Sequence, residues 1–322
     1  MKKLSLFISF FPLFFGSTAS AQDYSSNYYT GTSAEAGISI GMMNCLTDLG
    51  GNKGIGKSNA KDLNIGKTAS CVGAYLTCLY RNSLGIRLEA VFGNIMANDN
   101  VLKSVPVTDI SNARYNRNLN FKSKITEFSI LAEIYPKNLL VNQDSRESSL
   151  PIFSPYLLGG IGYYSFNPQG DLNGRLIDLQ PLRTEGQGFY DGKELYSLKQ
   201  TNIPLGIGVK FEVSPIVKIR SEFVYRMLST DYLDDVSTRY VSTSIYGGGS
   251  DEVPFKQQAL AYGFLDANGT TSKYDNVLAW YSQGSNFDPS DAEGKKRGDP
   301  THNDSYFSFN IKIGIMLSSQ RD

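Results

Sequence analysis

The chain has 322 residues, of which 31 are basic and 31 acidic, so its formal net charge at pH 7 is zero. This balance gives no electrostatic reason to expect nucleic acid, because a nucleic-acid surface needs an excess of basic residues. The single histidine, His302, excludes a metal site built on two histidines and leaves a Ser-His-Asp triad resting on one loop residue. We therefore predict no enzyme, no cofactor and no metal.

The N-terminal segment, residues 1–21, has the features of a secretory signal peptide. It begins with Lys2 and Lys3, continues with the apolar run Leu4–Phe15, and ends with a cleavage site of small residues. We therefore predict that the chain is exported and that residues 22–322 form the mature domain. No later stretch approaches the roughly 18 consecutive apolar residues that a membrane helix requires, so any membrane span must consist of strands.

Eight segments of the mature domain alternate apolar and polar residues with the period of two that is typical of β-strands. In the last segment, Ile311 and Ile313 share one face, and Asn310 and Lys312 share the other. Segments of this length are typical of tilted strands that cross a bilayer in about 9–11 residues, whereas strands of soluble sheets average about 5–6. The predicted strands are 34–43, 68–80, 84–97, 122–135, 152–166, 201–213, 216–229 and 304–318.

Charged residues in the fourth, sixth and seventh segments occupy alternate positions only, so they share one face of each predicted strand. A lysine or arginine on the lipid face would cost about 2–4 kcal/mol at the membrane midplane, so the charged parity identifies the lumen. The lumen of an eight-stranded barrel is just wide enough for side chains, and an open diffusion pore is not expected. The predicted lumen charges are Glu127, Glu133, Lys210, Glu212, Lys218, Arg220, Glu222 and Arg226.

The same parity predicts the effect of substitutions. Arginine at Ile207 or Ile311 should block assembly, because it places a charge in hydrocarbon. Alanine at Gly208 or Asn310, on the lumen face, should be tolerated better.

Short and long connections alternate along the chain, as in outer-membrane barrels, which have short periplasmic turns and long external loops. The sequence therefore predicts an all-β fold: a closed, antiparallel transmembrane β-barrel of eight strands in the cell outer membrane. A ten-stranded barrel is the alternative, if segments 260–265 and 277–281 form a further hairpin. The short connections are 81–83 and 214–215, the connection 136–151 is of moderate length, and the long extracellular loops lie at about 44–67, 98–121, 167–200 and 230–303.

Residues 51–58 match the phosphate-loop pattern G-x-x-x-x-G-K-[ST]. That loop works between a strand and a helix, where backbone N–H groups and a lysine face nucleotide phosphates. Residues 58–66 show no helical periodicity, and an exported protein has no ATP supply. We therefore interpret the match as a glycine-rich external loop and predict no nucleotide ligand.

Cys45 and Cys71 lie near the external ends of the first two predicted strands. In an oxidising compartment they could form a disulfide that closes the first external loop, and two free thiols are the alternative. Cys78 lies an odd number of residues from Cys71 and should face the opposite side of its strand.

Two loop stretches, Leu179–Gly188 and Thr230–Thr238, are the most specific part of a wider resemblance. The chain resembles a Bacteroidota family of outer-membrane barrels, known mainly as a domain of unknown function, which includes the PorG subunit of the type IX secretion system. The likeness runs from about residue 34 to 240 and through the final strand. Two departures are Arg183, where the family pattern has glycine after Pro-Leu, and residues 44–49. Further matching stretches are 35–41, 155–162, 166–168, 196–198 and 203–210.

The resemblance implies a non-enzymatic structural or accessory subunit of a type IX-like secretion complex, surrounded by outer-membrane lipid and bound to other envelope proteins. The residues alone leave open a free-standing barrel for adhesion or narrow solute passage. The acidic group on the fourth long loop could also hold calcium or act as paired carboxylates, but solvated charges or a partner surface are the favoured interpretation. The predicted partner-binding residues are Thr184, Glu185, Gln187, Asp231, Tyr232, Asp234 and Asp235. A hydrogen-bonded cap between loops, with Asp231 and Asp235 bound to backbone N–H groups, is the alternative role for them.

Overall fold

The computed structural model describes residues 31–50, 65–99, 118–140, 153–172, 174–246, 253–265, 268, 273, 277 and 293–319. The predicted signal peptide and the phosphate-loop match at 51–58 lie outside these residues. The strands of the described chain are β1 (Thr32–Leu46), β2 (Ala69–Tyr80), β3 (Leu84–Asn98), β4 (Asn120–Ile134), β5 (Phe153–Ser165), β6 (Pro168–Leu172), β7 (Arg175–Asp178), β8 (Lys199–Glu212), β9 (Val217–Leu228) and β10 (Ser305–Ser319). The helices are α1 (Pro136–Leu140) and α2 (Val253–Ala261), with 3-10 turns at Ile65–Lys67, Gln180–Leu182 and Thr243–Tyr246.

Eight of these strands form a closed antiparallel barrel. The order around the wall is β1, β2, β3, β4, β5, β8, β9 and β10, and β10 pairs back onto β1 from Ser33↔Ser319 to Leu46↔Ser305. Closure is how a sheet pairs all its backbone polar groups in lipid. The predicted transmembrane barrel of eight strands is confirmed, and each predicted strand boundary lies within three residues of the observed one. Among the described residues, no helix is long and apolar enough to cross a membrane.

Strands β6 and β7 lie outside the barrel wall. They form a hairpin in the third long loop, and β6 extends the sheet at β4 through the pairs Lys122↔Gln169 and Ser123↔Pro168. The alternative hairpin at 260–265 and 277–281 is wrong in its first strand, because Leu260 lies in α2, which ends at Ala261, and Gly263, at φ +71°, turns the chain there. A left-handed glycine is the usual end of a helix. Residues 278–281 lie outside the described part.

The outer wall carries a continuous apolar band. Large apolar side chains on the predicted lipid face are exposed in the isolated protein, for example Ile311 at 49% and Ile207 at 60%, and all the predicted lumen charges point inward. So large an exposed apolar surface indicates contact with lipid. The wall includes Ile38, Ile40, Ile86, Leu88, Phe128, Ile130, Leu157, Ile161, Ile203, Leu205, Ile313 and Ile315.

The cysteines are free thiols, so the disulfide interpretation is wrong. Cys71 pairs with Gly41 of β1, four residues before Cys45. Four residues of strand span about 13 Å, well beyond the ~7 Å that a disulfide allows between Cα atoms. Cys78 is exposed on the face opposite to the buried Cys71, as predicted.

Candidate functional site

Two arginines occupy the centre of the lumen. Arg220 contacts Glu35 (Nη2–Oε2 2.7 Å) and Glu133 (Nη1–Oε2 3.0 Å), while Arg87 contacts Glu133 and Glu222, the latter at 2.6 Å from Nη1 to Oε2. All five side chains are 1% exposed or less. A buried charge is tolerated only when it is paired and hydrogen-bonded, and each of these charges meets that condition.

The network continues toward the end of the barrel that carries the long connections, which we call the external end. Lys312 Nζ contacts Glu89 Oε1 at 2.5 Å and Glu222 Oε1 at 2.8 Å, and Arg226 Nε contacts Glu127 Oε2 at 2.9 Å. Apolar side chains fill the rest of the lumen. A small cluster lies among the charges, with the hydroxyls of Tyr135 and Tyr156 in contact with Arg220 and Glu222, and a large cluster lies toward the external end. The small cluster consists of Leu79, Leu131, Tyr135, Tyr156, Leu158 and Val224. The lumen is therefore filled by side chains, as predicted.

Sequence reasoning missed three members of this network. Glu35, Arg87 and Glu89 were not assigned to the lumen, because no facing was worked out for the first and third strands. The signal was present, since Arg87 and Glu89 have the parity opposite to Ile86 and Leu88.

The third and fourth long connections fold together over the external mouth. We call this layer, formed by residues 166–198, 229–246 and 293–304 with α2, the cap. Its apolar core is aromatic: the ring of Phe189 lies 5.4 Å from that of Tyr246 and 5.7 Å from that of Phe264, centroid to centroid. The large apolar cluster runs without a break from the barrel interior into this core, so the cap is packed onto the barrel.

Arg297 joins the two loops of closest family resemblance. Its Nη1 donates to Glu185 Oε1 at 2.9 Å and to the carbonyl oxygen of Asp235 at 2.6 Å, and its Nη2 lies 3.4 Å from Asp235 Oδ2. Asp235 also accepts hydrogen bonds from Thr184 Oγ1 at 2.6 Å and from the Tyr196 hydroxyl at 2.7 Å. One guanidinium thereby holds two buried carboxylates from different loops.

Glu185 acts as the acceptor for the turn that follows Asp235. Its Oε1 accepts the backbone N–H of Ser237 at 2.9 Å, and its Oε2 accepts the Thr238 hydroxyl at 2.6 Å and the Tyr232 hydroxyl at 3.2 Å. Gln187 Oε1 accepts the backbone N–H of Glu185 at 3.1 Å, which fixes the start of this stretch. A carboxylate that accepts hydrogen bonds from several N–H and O–H groups connects their segments strongly and in a defined direction.

Two further carboxylates tie the cap to the barrel rim. Asp234 Oδ2 accepts the backbone N–H of Leu49, just beyond β1, at 2.8 Å, and its Oδ1 accepts the N–H of Val236 at 2.9 Å. Asp304, directly before β10, accepts the N–H of Leu233 at 2.8 Å. The run around Asp234 is therefore fixed to both strands that close the barrel.

Burial perturbs the acidic groups of the cap. Desolvation raises the pKa of Asp231 to about 8 and that of Asp235 to about 6, the latter against the opposing effect of Arg297. Desolvation, reinforced by Asp234 and Asp231, raises the pKa of Asp304 well above its usual value. Neither carboxylate oxygen of Asp231 accepts a hydrogen bond from the described residues.

The predicted partner-binding residues converge at this place, but their side chains are not on the surface. Thr184, Glu185, Asp234 and Asp235 have no exposure, and Asp231 is 7% exposed. Gln187 is 1% exposed and Tyr232 is half-buried. Their geometry is that of the hydrogen-bonded cap between loops, although Asp235 binds side chains rather than the backbone N–H groups expected. A direct part in partner binding stays a prediction.

Arg297, Tyr196 and Asp304 are cap residues that sequence reasoning missed, since isolated charges in long loops carry no periodic signal. The departure at Arg183 does have a structural meaning. This residue follows the 3-10 turn Gln180–Leu182 at φ +49°, the left-handed region that favours glycine. Its Nη1 donates to the carbonyl of Gln187 at 2.8 Å, and its guanidinium lies 3.5 Å from the ring centre of Tyr262. These contacts offset the strain of the left-handed conformation.

The geometry around His302 does not form a triad. Asp299 accepts the Thr301 hydroxyl at 2.6 Å and lies 4.0 Å from His302 Nδ1, the same nitrogen that is 2.9 Å from that hydroxyl. In a triad the carboxylate and the hydroxyl contact opposite ring nitrogens. Within the described ranges, no group of three or more histidine, cysteine, aspartate or glutamate side chains could hold a metal ion.

The fold and the site define a transmembrane β-barrel with a filled lumen and a structured cap. No protein-family model matches the chain, and no curated protein sequence matches it. Its structure is similar to the outer membrane protein OprG from Pseudomonas aeruginosa (11% identity, 91% of this chain and 99% of that chain, TM-score 0.37). It is also similar to Ail, the attachment invasion locus protein of Yersinia pestis (10%, 88% and 99%, TM-score 0.35), and to Neisserial surface protein A (8%, 88% and 96%, TM-score 0.34). At such TM-scores these likenesses carry no argument, and the fold rests on the strand pairing above.

Proposed function

We propose that the protein is a non-enzymatic outer-membrane barrel that serves as a structural or accessory subunit of a type IX-like secretion complex. The observation that carries the proposal is the combination of a filled lumen with a rigid cap. A barrel that transports needs space inside it, whereas a barrel that docks needs an ordered surface outside the membrane. The Leu179–Gly188 and Thr230–Thr238 stretches resemble the barrel family that includes the PorG subunit, and this resemblance supports the choice of a type IX-like complex.

The filled lumen argues against passage of solutes. Opening a path would separate Arg87 and Arg220 from their glutamates, and breaking a buried pair costs about 3–5 kcal/mol. Apolar side chains also pack among these charges and close their external side. We therefore set narrow solute passage aside.

Adhesion remains the second candidate, because the cap lies at the external end, where it would face the surroundings of the cell. The two roles use the same surface and differ in the partner, which is an envelope protein in one case and an external one in the other. The exposed apolar side chains of the cap are the contact points either role would use. They include Leu176 at 47%, Tyr190 at 38%, Val253 at 63% and Leu260 at 40% exposure.

The deciding experiment compares a clean deletion strain with strains that carry cap variants. The proposal expects the deletion to reduce the set of secreted proteins and expects envelope partners to be recovered with the solubilised wild-type barrel. Val253→Ser with Tyr190→Ser should lose the partners while the folded barrel is still present in the outer membrane. Lys256→Ser, an exposed polar change on the same helix, is the control. Normal secretion in the deletion strain, with no envelope partner recovered, would contradict the proposed role in secretion. Adhesion to surfaces would then be measured in the same strains.

A further inference from the structure

An open groove lies on the outer wall of the barrel at the external end. It has a volume of about 390 Å³ and lies where the ends of β3 and β4 meet the β6–β7 hairpin and the turn Ile65–Lys67. This volume is within the ~300–1,000 Å³ of ligand sites. Its polar lining consists of Lys67, Asn98, Asn120, Lys122 and Asp171.

The groove lies directly above the lipid band. On β4 the last large apolar side chain that faces outward is Phe128, which is 56% exposed and contacts Phe92 of β3, 41% exposed, edge to face at 6.2 Å. Met96, further out on the same face of β3, is half-buried and lines the groove itself. Aromatic residues at the rim of a barrel mark the interface between hydrocarbon and headgroups. Lys122 lies on the same face of β4 as Phe128 and is six residues closer to the external end. This separation is about 20 Å along the strand, and less along the membrane normal because the strand is tilted. The groove therefore lies beyond the apolar band, on the side of the lipid headgroups.

The charge of this sector is positive. Of the lysines and arginines on the described barrel strands, only Lys122, Lys124 and Lys199 point outward, and all three are exposed at the external end. Lys199 lies opposite Ser165 of β5, which in turn lies opposite Thr126 of β4, so the three lysines share one sector. No ion pair joins any of them to a described carboxylate. Compensation inside the groove is partial, because its described lining holds two lysines, Lys67 and Lys122, and one carboxylate, Asp171.

We propose that this groove binds the phosphorylated sugar headgroup of an outer-leaflet glycolipid. The ammonium groups of Lys67 and Lys122 contact the phosphate, the amides of Asn98 and Asn120 line the sugar, and Lys124 and Lys199 attract neighbouring phosphates. Lysine serves here as a point charge, which suits a phosphate whose orientation varies. The proposal rests on the outer-membrane location proposed above, and it adds a lipid site on the outer wall, beside the part of the cap that the β6–β7 hairpin forms.

The test uses the folded full-length barrel in detergent micelles and measures lipid binding by native mass spectrometry. The probes are bisphosphorylated lipid A and the same lipid without phosphates. Wild-type protein should prefer the phosphorylated lipid, and the preference should fall as ionic strength rises. Lys67→Gln with Lys122→Gln should weaken binding of the phosphorylated lipid about 30-fold, at about fivefold per lysine. Lys137→Gln with Lys256→Gln, which removes two exposed lysines elsewhere, should leave it unchanged.

Three outcomes would overturn the proposal: no preference for the phosphorylated lipid, equal loss in both double variants, or displacement of the lipid by inorganic phosphate at equal concentration. The last would mean a free-anion site. A heat-dependent shift in gel migration verifies that each variant is folded. Because binding is measured in micelles, its failure is separate from a failure of membrane fractionation, which would instead overturn the proposed location.

Discussion

Arg297 and Glu185 lie 112 residues apart in the chain, yet Nη1 of the arginine is 2.9 Å from Oε1 of the glutamate and neither side chain has any exposure. The pair connects the third long loop to the last stretch before β10. The same guanidinium contacts Asp235, so Arg297 connects the stretch Leu179–Gly188 to the stretch Thr230–Thr238.

Arg297→Met should therefore loosen the cap without disturbing the barrel. It leaves Glu185 and Asp235 buried without their cation, which costs about 3–5 kcal/mol. Hydrogen exchange should rise in residues 184–188 and 231–238 and stay low in β1 and β10. Lys296→Met is the control, because Lys296 is an exposed neighbour whose pair with Asp299 is at the surface. Equal exchange in both variants would contradict the role given to Arg297.

Cap stability should fall as pH rises from about 4 to about 8. The buried Asp235 and Asp231 have pKa values raised to about 6 and about 8, so the folded cap binds more protons than the unfolded loops in this window. Stability decreases with pH wherever the folded state binds more protons. Hydrogen exchange in the cap, corrected for intrinsic rates, should thus show weaker protection at pH 8.5 than at pH 5.

Asp231→Asn tests the upper part of this pH range, in which Asp231 titrates. The amide is neutral at every pH, so the variant should be more protected than wild type at pH 8.5, by about 1–3 kcal/mol for relief of a buried unpaired group. At pH 5, where wild-type Asp231 is already protonated, the two should match. Asp299→Asn is the control, because desolvation has little effect on Asp299 and hydrogen bonds from Thr301 lower its pKa to about 2. A pH profile unchanged by Asp231→Asn would refute this account.

Arg220→Met should destabilise the whole barrel. The substitution leaves Glu35 and Glu133 buried with fewer partners, at a cost of about 3–5 kcal/mol. Urea unfolding of the barrel refolded in lipid vesicles should show an earlier midpoint. Arg175→Met, on the exposed β6–β7 hairpin, should leave the midpoint within error. If both shift equally, the lumen network does not stabilise the fold.

Ile311→Arg should block assembly, because Ile311 is 49% exposed on the lipid face. Asn310→Ala, at the adjacent lumen position, removes a hydrogen bond to Ser308 Oγ and should still assemble. Recovery of heat-modifiable barrel from outer membranes measures both. Comparable recovery of the two variants would indicate a sheet that is buried on both faces.

The companion expectation for Gly208 has to be revised. A Cβ at this position would overlap the ring of Tyr156, which is 2% exposed and whose hydroxyl donates to Glu222 at 2.6 Å. Gly208→Ala should therefore disturb the lumen rather than be mild. The face of the strand on which Gly208 lies was predictable from the alternation, but the contact between neighbouring strands was not, because it depends on which side chain is paired with the glycine.

The same distinction, between features that follow a local sequence pattern and contacts between distant residues, holds for the rest of the molecule. The strands and their two faces follow from a period of two, which is a local property of the sequence, and so Ile207 and Glu222 could be assigned to their sides. The cap depends on contacts such as Leu49 to Asp234, which join residues 185 apart and have no local pattern. The family resemblance indicated which loops meet there, and burial then showed that their side chains hold the cap together.

The pairing of β1 with β10 also governs how the protein is made. The first strand finds its second neighbour only in Ser305–Ser319, so the sheet has two open edges until nearly the whole chain has emerged. Pairing between residues so distant in sequence is slow, and exposed strand edges are prone to aggregate. Synthesis and folding must therefore be separate events for this protein. The chain has to be kept unfolded on its way to the membrane, and the barrel closes in a single late step.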